Sequence, residues 1–319
     1  MLRNILPCLL SFGLLLASCK KGSTDDSSNQ TDSLGAGWSK VDIGAGNYFI
    51  DIFFFGNTGF GTGRNNIFRS DDGGNTWNIA YQAELEITNI AMGSTDNAVF
   101  VSGEGGKIYH TNNGGDSFDS TTVVDTGIYD AFFVNENTAY ALGDNVWKTK
   151  DGGHSWNLLY AFTPSTHIYK TLYFLDEMNG WASVPSGLYK TKDGGVTWEK
   201  NITSGLASGM IGAIFFSDIN TGYISNKNNI LKTNDAGDSW KIIFSEQDLL
   251  LDIHFPSKET GYINLRKSIY KTTNGGLSWH REVKLNEHDG AIGTIELHFT
   301  DTGHGWASGS KGAILKYIR

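Results

Sequence analysis

The 319-residue chain holds two cysteines, four prolines and, beyond its first eighteen residues, no long apolar run. Each scarcity excludes something. Cys8 and Cys19 both fall in the first twenty residues, so the remainder has no disulfide, no thiol nucleophile and no cysteine-based metal site, and its stability rests on packing. Charged residues make up 18% of the chain, the formal net charge is −9, and no run of Lys and Arg appears. Phosphate contacts need clustered cations, which excludes nucleic acid as a partner. There is no nucleotide-binding loop, no zinc-ligand spacing and no nucleophile elbow, and the eight histidines are scattered singly, so neither a cofactor nor a metal is expected. What is abundant is glycine, 40 residues, with 13% aromatics. That combination suits many tight hairpin turns around a packed interior.

The start, MLRNILPCLLSFGLLLASC, carries one positive charge at Arg3, an apolar stretch over 5–16, and small residues Ala17 and Ser18 before Cys19. The stretch is too short to span a bilayer and reads as a cleaved signal peptide, residues 1–18. Leu16-Ala17-Ser18-Cys19 resembles the bacterial lipobox. The resemblance implies lipid on Cys19 and a chain anchored to the outer membrane of a bacterial cell envelope, facing the periplasm or the surface. An ordinary secretory signal with an incidental cysteine is the alternative. Loss of Arg3 leaves a mature charge of −10. Residues 19–37 are polar and rich in Gly and Ser, as a flexible tether would be, and place a folded domain at 38–319.

Within that domain one phrase recurs six times: SDDGGNTW, TNNGGDSF, TKDGGHSW, TKDGGVTW, TNDAGDSW and TTNGGLSW. They end at Trp77, Phe118, Trp156, Trp198, Trp240 and Trp279, with steps of 41, 38, 42, 42 and 39 residues. Steps of that size match one four-stranded propeller blade each. Each unit reads as an apolar-aromatic strand (IDIFFF, YDAFFV, LDIHFP, IELHFT), a strand after a glycine turn (GWAS, GYIS, GYIN), and a third strand (IFRS, VWKT, ILKT) running into the phrase. The phrase is therefore a corner between the third and fourth strands. Asp72, Asp151, Asp193 and Asp235 can accept backbone N–H bonds there, with Asn113 and Asn274 taking the same place. A calcium site would lose charge at those two positions, which favours a turn-stabilising role.

The phrase resembles the Asp-box, or bacterial neuraminidase (BNR) repeat, and the surrounding pattern is most similar to the photosystem II assembly factor-like propellers. The resemblance covers nearly all of 38–319. Counting units gives an all-β, seven-bladed propeller of four-stranded antiparallel blades. The last unit stops one strand short at AILKYIR, and Trp38 lies 39 residues before Trp77, so GWSKVDI should supply the missing outer strand and close the ring.

Corners on one face leave the other face to the turns between second and third strands and to the connections between blades. Those turns carry Arg64, Lys107, Lys227, Arg266, Lys267 and Lys311, opposed by Glu104 and Asp144. They form a candidate binding face for an acidic protein segment or a glycan, against the plainer reading of solvated turn residues. Asp51, Asp130, Asp252 and Glu296 occupy equivalent positions before four inner strands and are candidate channel carboxylates, either for acid–base chemistry or for bonding the neighbouring strand's backbone. The favoured function is a lipid-anchored, monomeric, non-enzymatic scaffold that captures an envelope or surface protein. The alternative is a glycoside hydrolase or glycan-binding protein of the sialidase-like type, although the five arginines after residue 18 come without the arginine-bearing opening phrase of sialidases. Trp147 and Trp181 read as core.

Overall fold

The computed structural model describes residues 33–319 apart from 45–46, 164–169, 202–210, 286–293 and 310–312. Seven antiparallel sheets stand side by side in a ring, and the inner strand of each touches the inner strand of the next, the seventh touching the first. Blade one runs outward as Asp51–Phe55, Thr58–Gly63, Asn66–Ser70 and Asn78–Gln82. The inner strands of blades two to seven are Ile87–Met92, Asp130–Phe133, Thr171–Phe174, Ile211–Phe216, Leu250–His254 and Thr294–Phe299. The expected seven-bladed fold is what forms.

Closure follows the expected register. Trp38–Asp42 pairs with Ala313–Ile318, Trp38 opposite Tyr317 and Asp42 opposite Ala313. The Trp38 ring meets Tyr262, Phe299 and Tyr317 at 6.3, 6.1 and 5.2 Å, and its Nε1 donates to Glu282 Oε2 at 3.1 Å. Pairing in fact begins before residue 38. Ser33 and Leu34 lie opposite Lys284 and Val283, adding a fifth strand to blade six, so one short segment sews blade six to blade seven.

The corners behave as their chemistry requires. Asp72 Oδ1 accepts the Asn75 and Thr76 N–H groups at 2.9 Å each and the Ser70 hydroxyl at 2.9 Å, while Oδ2 accepts the Thr76 hydroxyl at 2.7 Å. Where Asn113 replaces the acid, its Oδ1 still accepts Ser117 N–H at 3.0 Å, and its Nδ2 donates to the Ser117 hydroxyl at 2.8 Å, so the hydroxyl changes from donor to acceptor. Asn274 does the same with Ser278. The first glycine of each corner sits at φ between 65° and 70°, and Ala236 takes that place once, at φ 61°, where its Cβ is strained.

Between blades a second device repeats. Second-strand Tyr140, Trp181, Tyr223, Tyr262 and Trp306 stack on inner-strand Phe174, Phe216, Phe255, Phe299 and Phe54 of the next blade, with centroids 3.5–4.2 Å apart. The glycine that opens each second strand makes this possible. A Cβ on Gly180, Gly222, Gly261 or Gly305 would lie within 2.6 Å of its own blade's phenylalanine ring. Above three of these aromatics the third-strand lysine reaches across the seam: Lys190 Nζ donates to the Ala236 carbonyl at 3.1 Å, Lys232 Nζ to the Gly275 carbonyl at 2.9 Å and Lys316 Nζ to Asn75 Oδ1 at 2.8 Å, whereas Lys148 Nζ donates to Tyr140 Oη of its own blade at 2.6 Å. The corner aromatics Trp77, Trp156, Trp198, Trp240 and Trp279 pack into these seams, and Trp147 and Trp181 are buried, as expected.

Two outcomes follow from this packing. Trp38→Ala should remove about 3–5 kcal/mol of unfolding free energy in urea denaturation, because it empties the closing seam. Ala236→Gly should instead stabilise by about 1 kcal/mol, since only the backbone strain is relieved.

Candidate functional site

Each inner strand runs from the face bearing the blade connections towards the face bearing the corners. The side chains near its start therefore converge on the axis, around a cavity of 460 Å³. Asp51, Asn89, Asp130, Thr171, Ala213, Asp252 and Glu296 hold the equivalent station in blades one to seven, and all line that cavity. The four carboxylates singled out from sequence are thus brought together.

Three of them clamp one blade to the next. Asp51 Oδ2 accepts Ile90 N–H at 2.7 Å, Asp130 Oδ2 accepts Leu172 N–H at 2.8 Å and Asp252 Oδ2 accepts Leu297 N–H at 2.8 Å. Their Oδ1 atoms accept the N–H of Ile52, Ala131 and Ile253. Asn89, which the sequence reading passed over, does the same with Ala131 N–H at 3.0 Å. In blade five the Ser225 hydroxyl accepts Gly212 and Ala213 N–H at 3.2 and 2.9 Å, a contact within the blade. Glu296 shares a hydrogen bond with Asp252 and receives no clamp of this kind among the described contacts.

Burial dominates the electrostatics. It pushes Asp51 and Asp130 up to about 7 against the pull of their backbone donors, raises Asp252, and with the Asp252 charge raises Glu296 well above the usual range. Two residues deeper, Phe132, Tyr173, Phe215, His254, His298 and Phe53 form an arc of successive ring contacts at 5.1, 5.5, 6.1, 5.5 and 4.0 Å. Burial lowers His254 to about 4 and, with His254 beside it, His298 to about 3, so both imidazoles are neutral. This arc lines the corner-facing end of the cavity, whose mouth is at the open face.

At the mouth Lys170, absent from the sequence reading, is buried, pairs with Asp144 at 2.6 Å and sits 4.7 Å over the Tyr129 ring. Asp125 likewise proves structural, accepting from Asp144 N–H, Asn145 and Trp147 Nε1. The open-face cations lie in the turns of blades one, two, five and six. Lys107 pairs with Glu84 at 2.6 Å, and Arg64 lies 5.9 Å from the Tyr48 ring. Arg64 and Lys227 are exposed at φ 55° and 58°, in the left-handed region, while their carbonyls accept Ile87 and Leu250 N–H at the start of the next inner strand. Arg266 is exposed and Lys267 half-buried in the same turn of blade six. Lys311 and Cys19 lie outside the described residues. Among the described residues no three His, Asp or Glu side chains converge in a metal-binding geometry.

Comparison with solved structures gives the fold. YCF48 bound to D1 peptide superposes with a TM-score of 0.73 at 17% identity, over 90% of this chain and 100% of that one. YCF48 from Cyanidioschyzon merolae gives 0.72 at 18% identity, over 89% and 99%. The Niastella koreensis GH74 enzyme gives 0.67 at 15% identity, over 90% of this chain and only 53% of that one. No protein-family model and no curated sequence matches the chain.

The two groups of shifted carboxylates give opposite pH effects. Asp51 and Asp130 bind protons more tightly folded than unfolded, so their stabilisation is complete below pH 4 and is lost as pH rises through 7. Hydroxyl and backbone donors hold corner Asp72 and Asp193 at about 2, so their contribution is present above pH 4 and is lost as pH falls through 2. Asp130→Asn, which keeps an acceptor for Leu172, should flatten the decline in thermal midpoint between pH 5 and 8 and leave the acid limb unchanged.

Proposed function

We propose that this protein is a non-enzymatic binding or assembly scaffold, lipid-anchored through Cys19 in a bacterial envelope, that captures an acidic segment of a client protein on its open face. The observation that carries this reading is the backbone of Arg64 and Lys227. Both take a left-handed conformation that glycine or asparagine adopts at lower cost, yet both present an exposed cation at the same station of different blades. Arg266 adds to the arc, and a mouth of this kind can attract an acidic partner although the chain's net charge is −9. The shared fold with YCF48, one structure of which holds a D1 peptide, supports a peptide-binding role.

The channel argues against a hydrolase. Each oxygen of Asp51, Asp130 and Asp252 already accepts a backbone N–H. Asp252 and Glu296 are in hydrogen-bond contact, well inside the roughly 5–10 Å that two glycosidase carboxyls keep across a scissile bond.

Retention of envelope proteins on the immobilised wild-type chain should be stoichiometric and fall with salt. Arg64→Glu, Lys107→Glu and Arg266→Glu together should weaken it about tenfold, or about 1.4 kcal/mol. Release of glycan fragments that disappears in Asp130→Asn or Asp252→Asn would overturn the reading.

A further inference from the structure

Six of the seven blades place Arg69, Lys148, Lys190, Lys232, Lys271 and Lys316 at one station of the third strand. Opposite them on the second strand stand Phe60, Tyr140, Trp181, Tyr223, Tyr262 and Trp306. Blade two departs at both places: His110 stands where the cation belongs, and Val99 where the aromatic belongs. The facing corner of blade three carries His154 between its glycines and Ser155, a place that Asn75, Asp116, Val196, Asp238 and Leu277 take in the other corners.

The seam brings these exceptions together. The His110 and His154 rings lie 4.5 Å apart at 55°, and a Cβ built on Gly153 would fall 2.6 Å from Val99 and 3.3 Å from His110 Cβ. His110 is 4% exposed, and its Nδ1 is buried without a hydrogen-bond partner among the described residues. Leaving such an atom unsatisfied costs about 1–3 kcal/mol. His154 is oriented from behind. Its Nδ1 lies 2.7 Å from the Asp151 carbonyl and must carry the proton, which leaves the Nε2 lone pair to accept from Asn112 Nδ2 at 3.2 Å. A ring N–H held by a backbone carbonyl, with the other nitrogen free to donate its electron pair, is how a metal-binding histidine is set up. Asp119 stands directly across the strand pair from His110 and supplies compensating charge.

We infer that His110 and His154 form a two-histidine site for a divalent transition metal of the zinc class at the seam of blades two and three. The ion replaces the Asn112 contact, satisfies one nitrogen of His110 and completes its shell with water. It does across this seam what Lys190, Lys232 and Lys316 do across theirs. Borderline imidazole donors suit Zn²⁺ or Ni²⁺ over Mg²⁺ or Ca²⁺.

Zinc chloride alone, titrated into the full chain, should perturb the imidazole nitrogen resonances of His110 and His154 and raise the thermal midpoint. His110→Lys restores the residue used by blades three to seven and should fold normally. It should weaken this zinc binding by about tenfold or more, and His154→Gln, on an exposed corner, should do the same. Reading the loss as a difference between chains cancels any ion held at Cys8 or Cys19. His280→Gln and His304→Gln, both on the surface, should leave it unchanged. Zinc affinity equal in wild type and both seam variants, or resonances of His110 and His154 that zinc does not move, would overturn the site.

Discussion

The structure depends on the stack of a second-strand Tyr or Trp against the inner-strand Phe of the following blade. Without cysteine in the folded part, nothing covalent holds one sheet to the next. Five seams use this stack, and each is worth about 0.5–1.5 kcal/mol beyond the area it buries. The glycine at the head of the second strand lets the phenylalanine lie flat, and the lysine above adds a cation–π contact while its ammonium finds an acceptor in the next blade. That acceptor matters because a half-buried ammonium without one would destabilise the seam.

Ring closure then decides the chemistry of the axis. Once seven inner strands meet, side chains at one station share a single cavity whether or not they attract one another. Asp51, Asp130 and Asp252 tolerate this crowding because each accepts two backbone N–H groups, and the same crowding and burial push their proton affinities upward. They act mainly as clamps. The open face is built differently: its turns are short, and Arg64 and Lys227 stand exposed in left-handed conformations while their carbonyls anchor the next inner strand.

The corners could be read directly because every bond in them is local. Asp72, Ser70 and Thr76 lie within seven residues, so residue type and spacing already fix the geometry. The seven-blade count and the pairing of Trp38 with the final strand followed from the same period. The blade-to-blade stitches were harder to read. Lys190 and Lys232 stand in the phrases LYKT and ILKT and Lys316 in the matching ILKY, a signal that was present, but a lysine on a strand reads as solvated until its acceptor in another repeat is known. Lys170 and Asn89 escaped for that reason, as did the pairing of Ser33 and Leu34 with blade six.

By itself the sequence determined the repeat, the corner chemistry, the blade number and the closing strand, because each depends on contacts within one unit or on a constant step between units. Only the tertiary structure decided which carboxylates bond a neighbour's backbone, which cations are buried and which stand free of the surface, and that two histidines from separate repeats share one seam. Those outcomes depend on distances between residues about forty positions apart, and such distances exist only after the ring has closed.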